Sequence, residues 1–158
     1  MVALKLLGCL LILASGALAA FSAARHERTR LSVLDGWIDL IFYIRTQIDC
    51  YLMPLNEILT GADRELLRAC MGGESAVGLS TLLQNSQFYL SSEARRLISA
   101  FVREIGSSYR EEQVKRCDYY ISALRGIREK QGEELPARVR VCVALCLCAA
   151  FGIAILLW

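Results

Sequence analysis

Two uncharged apolar runs, 6–24 and 141–158, flank a stretch in which hydrophobic positions recur at helical spacing. At ~1.5 Å rise per residue, a helix of either run covers most of the ~30 Å hydrocarbon core of a bilayer. Backbone groups in lipid must satisfy one another, so each run is expected to be helical. Trp158 stands at the end of the second run, at a depth where an amphipathic ring is favoured. The pattern predicts an N-terminal transmembrane helix over 1–24, a helical domain over 25–138 and a C-terminal transmembrane helix over 139–158.

Within the middle stretch, Leu34, Trp37, Ile38, Ile41, Ile44 and Ile48 keep the spacing of one helix face. They predict an amphipathic helix from Leu31 to Leu52 that runs on from the first apolar run. Pro54 ends or kinks it, because Met53 before it is biased away from helix. Pro54 also suits the first turn of a short helix over Leu55–Leu59, stopped by Gly61. Asp63 is placed to cap a helix reaching Cys70. Gly72, Gly73 and Gly78 loosen the chain before a short helix over Leu79–Gln84. Phe88-Tyr89-Leu90 is also compatible with extended chain.

Ser91 or Ser92 opens a helix that buries Leu97, Ile98, Phe101, Val102 and Ile105, with Gly106 as its stop. Ser108 and Glu111 have the spacing of a capping box. The last helix carries Val114, Cys117, Ile121 and Leu124 as a packing seam. An interior proline costs about 3 kcal/mol, so a kink or break is expected at Pro136. The fold class predicted is all-α: an antiparallel helical bundle between N-terminal and C-terminal transmembrane helices, with its first and last helices side by side.

Charge then sets the orientation. Arg25, Arg28 and Arg30 follow the first run, against Lys5 before it; Arg138 and Arg140 precede the second, and nothing charged follows. Positively charged flanks stay inside, so the bundle is expected in the cytoplasm. The first run has a second reading. Lys5, the apolar stretch and Ala17-Leu18-Ala19 also fit a cleavable secretory signal, which would leave a tail-anchored adaptor. The 7 cysteines are odd in number and scattered, which suits a reducing compartment better than a disulfide framework. The formal net charge of +2 is small, and no basic face of the kind nucleic acid requires stands out.

Candidate chemistry is sparse. His26 is the single histidine and sits among Arg25, Glu27 and Arg28, with no nucleophile nearby. Cys142, Cys146 and Cys148 form a cluster that could serve a membrane thiol or metal site, but Cys also packs as a small apolar residue. The stretch Met71–Gly78 lacks the Lys-Ser/Thr pair of a phosphate-binding loop. Glu111-Glu112 and Glu133-Glu134 point their members to different helix faces. No cofactor is implied, and the chain is expected not to be an enzyme. The charged helix faces are Arg-rich, which suits forked contacts with a partner as well as it suits solvent.

Leu4-Lys5-Leu6-Leu7-Gly8, Ile48 followed by Pro54-Leu55 and Glu57, Gly106 with Gln113 seven residues on, and a terminal apolar helix occur in that order. Together they resemble the stage III sporulation protein AB family of endospore-forming bacteria, over nearly the whole chain. The chain departs from the family pattern at Gln47, Cys50 and Met53, where Glu, Tyr and Thr are usual, and at Tyr109, where Asp is. The resemblance implies a soluble domain similar to the cytoplasmic domains of type II secretion platform protein F. It further implies a place in a secretion-like complex between mother cell and forespore. The implied partners are the complex's ATPase, stage III sporulation protein AA, its other membrane subunits, and the membrane; self-association is left open. The candidate partner-binding positions are Asp35, Asp39 and Arg45 on the first bundle helix, Pro54 and Glu57 after it, and Arg110, Gln113, Arg116 and Arg125 on the last.

Overall fold

The computed structural model describes residues 2–51, 55–71, 78–106 and 109–157, with the side chains of 2–13, 56, 150–151 and 154–157 left out. The described elements are α1 (Val2–Tyr51), α2 (Leu55–Thr60), α3 (Arg64–Ala69), α4 (Leu79–Ser86), α5 (Ser92–Glu104) and α6 (Arg110–Leu157). Among the described residues there is no strand. The chain divides into a bundle, 30–131, and a terminal unit made of 1–29 and 132–158.

The bundle closes over one apolar core. Leu34, Trp37, Leu40, Ile41 and Ile44 of α1, Ile58 of α2, Leu82 of α4, Ile98 and Phe101 of α5 and Leu124 of α6 are each no more than 1% exposed. Burying a large apolar side chain is worth on the order of 1.5–3 kcal/mol. The predicted seam on α6 is present: Cys117, Ile121 and Leu124 are buried, with Val114 packed against them. Phe101 and Tyr120 meet edge to face at 5.5 Å between ring centres, the arrangement that aromatic quadrupoles favour.

Local signals place the short helices. The Asp63 carboxylate accepts from the Glu65 amide at 3.2 Å and starts α3, and Cys70 ends it. Ser91, rather than Ser92, caps α5: its Oγ accepts from the Ala94 amide at 3.3 Å and from Gln131 Nε2 of α6 at 2.8 Å. Gly106 ends that helix with φ of 89°, a conformation that costs glycine little. α4 reaches Ser86, beyond the predicted Gln84. Phe88-Tyr89-Leu90 is a turn rather than extended chain, since the Tyr89 amide donates to the Ser86 carbonyl at 2.9 Å. Pro54, the Gly72-Gly73 pair and the Ser108 cap lie outside the described residues.

Pro136 does not break the last helix, which runs through it to Leu157. A proline removes one amide donor, a loss confined to a single turn, and Pro136 is exposed, where water can reach the unmatched carbonyl.

The terminal unit is built on different terms. Leu18, Phe21, Val141 and Leu145 are 71%, 69%, 58% and 65% exposed. Among its described residues, Ala20 is the one buried hydrophobic. The Glu134 carboxylate pairs with Arg138 at 2.6 Å, one turn apart. Among the described residues, no helix is long and apolar enough to cross a membrane. The runs predicted to do so, 6–24 and 141–158, fall in part outside the described side chains.

Candidate functional site

Three of the candidate residues meet along the seam between α1 and α6 of the bundle. Arg45 grips Asp118 with Nε to Oδ1 at 2.9 Å and Nη2 to Oδ2 at 3.4 Å. Arg128 grips Asp35 in the same way, at 2.8 and 3.2 Å. Arg110 Nη2 donates to Asp49 Oδ1 at 2.9 Å and to the Asp49 carbonyl. The partner positions fall along α6 as they rise along α1, so the two helices are antiparallel. The hydrogen bonds to Asp118 and Asp35 hold the Arg45 and Arg128 guanidiniums above their ordinary pKa. Exposed pairs of this kind add little to stability. Their forked geometry fixes the register of one helix on the other.

Asp35, Arg45 and Arg110 therefore set the register of α1 on α6, and are already matched before any partner arrives. Arg116 is likewise engaged, with Glu112 at 2.7 Å and Glu104 at 3.7 Å. The same Glu104 accepts from the Tyr120 hydroxyl at 2.9 Å. Burial and that hydrogen bond raise the Tyr120 phenol to about 12.

Asp39, Glu57 and Arg125 are exposed, and their side chains make no hydrogen bond or ion pair among the described residues. Arg125 lies three residues from Arg128, on the α6 edge that borders α1. Asp39 lies on the side of α1 toward α3, close enough to add to the burial that raises the Cys70 thiol. Glu57 stands on α2, where its carbonyl accepts from the Gly61 amide. Gln113 is half-buried, with its amide bonded to the Tyr109 carbonyl. The candidates thus do not form one patch, and Pro54 lies outside the described residues.

Sequence reasoning missed the aromatic members of this surface. Phe42 of α1 is 51% exposed and Tyr119 of α6 63% exposed. Exposed aromatic rings among charged residues are the usual anchors of protein interfaces. The signal was available: Phe42 falls three residues after Asp39, on the wet side of the helix. Two structural contacts carried no such signal. Trp37 Nε1 donates to the buried Ser86 Oγ at 3.0 Å across 49 residues of chain. A Cβ on Gly36 would come within 2.8 Å of the Ala69 backbone, so α1 and α3 touch there.

The cysteines sort by environment. Cys70 and Cys117 are buried and Cys50 is exposed. Burial pushes the Cys70 thiol up to about 12 and the Cys117 thiol up to about 11, which suppresses the reactive thiolate. In the terminal unit, Cys142 and Cys146 are half-buried and Cys148 exposed. Among the described residues, no group of three His, Cys, Asp or Glu side chains is placed to hold a metal ion. The arrangement as a whole presents fixed charge pairs, isolated charges and exposed rings on the surface of the bundle.

The family model described as stage III sporulation protein AB matches residues 5–70 and 76–158. The break falls at the glycine-rich stretch between α3 and α4. No curated protein and no solved structure gives a significant match to the chain.

Proposed function

Because the chain belongs to the stage III sporulation protein AB family, we propose that it is a non-catalytic platform subunit of a secretion-like sporulation complex. In this reading the terminal unit anchors the chain in the mother-cell membrane around the forespore. The bundle faces the cytoplasm, docks the ATPase stage III sporulation protein AA, and couples it to other membrane subunits.

The observation that carries the proposal is the inverted burial of the terminal unit. Leu18, Phe21, Val141 and Leu145 are all more than half exposed. Exposed large apolar side chains in this number favour a lipid or protein contact. The uncharged sequence around those residues extends to spanning length in both runs. The bundle supplies the complementary part: a closed core, a surface held by matched charges, and exposed side chains such as Phe42 and Arg125 that can meet a partner.

The test is a pull-down of stage III sporulation protein AA by the full-length chain in detergent. Capture is expected, and a Phe42→Ala/Arg125→Glu variant should weaken it while melting like the wild type. Failure of the wild-type chain to capture the ATPase would remove the docking role. Undiminished capture by a correctly folded variant would move the docking face elsewhere.

A further inference from the structure

A second feature of the bundle is independent of the platform reading and lies away from the α1–α6 seam. A groove of 480 Å³ runs between α4 and α5. Its α5 wall carries Arg95, Ser99 and Arg103 at four-residue intervals, hence in one stripe along the helix. Arg96 lines the same wall. The opposite side of α5 is in the core through Ala94, Ile98 and Phe101, so the stripe is held on a rigid support.

The cations in this stripe are not matched as those on the seam are. The side chains of Arg95 and Arg103 make no hydrogen bond or ion pair among the described residues, and that of Arg96 reaches back only to the Ser92 carbonyl, at 3.3 Å. Arg95 and Arg96 also stand within four residues of the start of α5 at Ser92, the end at which the helix dipole disfavours positive charge. Among the described residues no side chain matches these arginines, whereas an anionic ligand would.

We infer that the groove between α4 and α5 docks an acidic segment of a partner protein. Arg95 and Arg103 lie about 12 Å apart along the helix axis. That span matches two carboxylates about eight residues apart on a helix, or about four apart in extended chain. The facing wall favours peptide over a phosphate or lipid headgroup. It offers Gln84, Gln87 and the apolar Leu83. Each glutamine amide both donates and accepts, which serves a peptide backbone, whereas a phosphate uses donors alone. Phe88, the residue after Gln87, is 80% exposed and adds an accessible ring one residue from the groove's glutamine wall.

The experiment places a photo-crosslinking residue at Ser99 of the full-length chain in sporulating cells and sequences the captured peptide by mass spectrometry. The expected product is a Glu- or Asp-rich segment of a different protein. Its yield should fall at least about tenfold in an Arg95→Glu/Arg103→Glu variant and survive in Arg95→Lys/Arg103→Lys. Reversing the acidic residues of the captured segment to Lys should restore the yield with the Glu variant. Circular dichroism melts matching the wild type exclude unfolding as the cause. The inference is overturned if no protein is captured, if the captured segment is neutral, basic or from a second copy of this chain, or if charge reversal leaves the yield unchanged. It is also overturned if the folded Glu variant loses only its binding to phosphatidylglycerol vesicles. Loss of ATPase capture through the Phe42 and Arg125 face would leave these outcomes untouched.

Discussion

The bundle and the terminal unit draw on the same two long helices and treat their apolar residues in opposite ways. In the bundle, α1 turns Trp37, Leu40 and Ile41 inward to complete burial. In the terminal unit, α1 leaves Leu18 and Phe21 about 70% exposed (71% and 69%). Helical propensity does not separate the two stretches. The arrangement of charge does: every charged residue but Lys5 lies between Arg25 and Arg140. A helix with a polar face can bury the other in water, while one that is apolar all round needs a different surrounding. Where the apolar residues go is therefore decided by the polar residues between them.

Truncating the bundle core is the largest test of this contrast. Trp37→Ala removes a fully buried ring and the N–H that the Ser86 hydroxyl accepts, leaving that hydroxyl only its bonds to the Leu82 and Leu83 carbonyls, and should cost about 3–5 kcal/mol in urea unfolding of the detergent-solubilised protein. Leu145→Ala, in the terminal unit, should stay within roughly 0.5 kcal/mol by the same assay. Equal losses would mean that the terminal unit has a core of its own.

Next in size is a charge on the terminal unit. Leu145→Arg should weaken membrane insertion by about 2.5–3.5 kcal/mol, seen as release from the membrane pellet under alkaline extraction. The melting of the bundle should not change. Retention of the variant in the pellet would remove Leu145 from any lipid-facing surface.

Glycine gives a smaller and more local contrast within the bundle. Gly36→Ala drives a Cβ into the Ala69 backbone and should destabilise by about 1–3 kcal/mol. A Cβ on Gly126 of α6 would meet nothing within 4 Å, so Gly126→Ala should stabilise by about 0.5–1 kcal/mol. Thermal melts of the two variants should move in opposite directions.

The last effect is silent at neutral pH and appears only in alkaline stability. The folded-state thiols of Cys70 and Cys117 are raised from 9.0 to about 12 and about 11. The stability they carry is complete below pH 9.0 and is lost as pH rises through the folded values. Unfolding free energy should decline upward from that point, and Cys70→Ala should flatten the decline. At neutral pH, Cys50 should react with a soluble maleimide well before either buried thiol.

The all-helical fold was legible because its signals are local. The helical spacing from Leu34 to Ile48, the Asp63 and Ser91 caps and the positive φ of Gly106 each act within a few residues. The site was less legible because its facts are long-range. Arg45 and Arg110 read as partner-binding candidates in sequence, yet their carboxylates lie 73 and 61 residues away in this same chain. Gly36 and Ser86 have roles only against Ala69 and Trp37. Pro136 failed as a stop signal because one missing donor on an exposed turn is weaker than the helix on both sides of it.

Membrane anchoring with an inward-facing bundle is tested most directly by the sidedness of Cys50. Cys70 and Cys117 are buried and can remain, while Cys9, Cys142, Cys146 and Cys148 are replaced by Ala. Labelling with a membrane-impermeant maleimide should leave Cys50 unmodified in intact cells and modify it after permeabilisation. Full modification of Cys50 in intact cells would contradict the account.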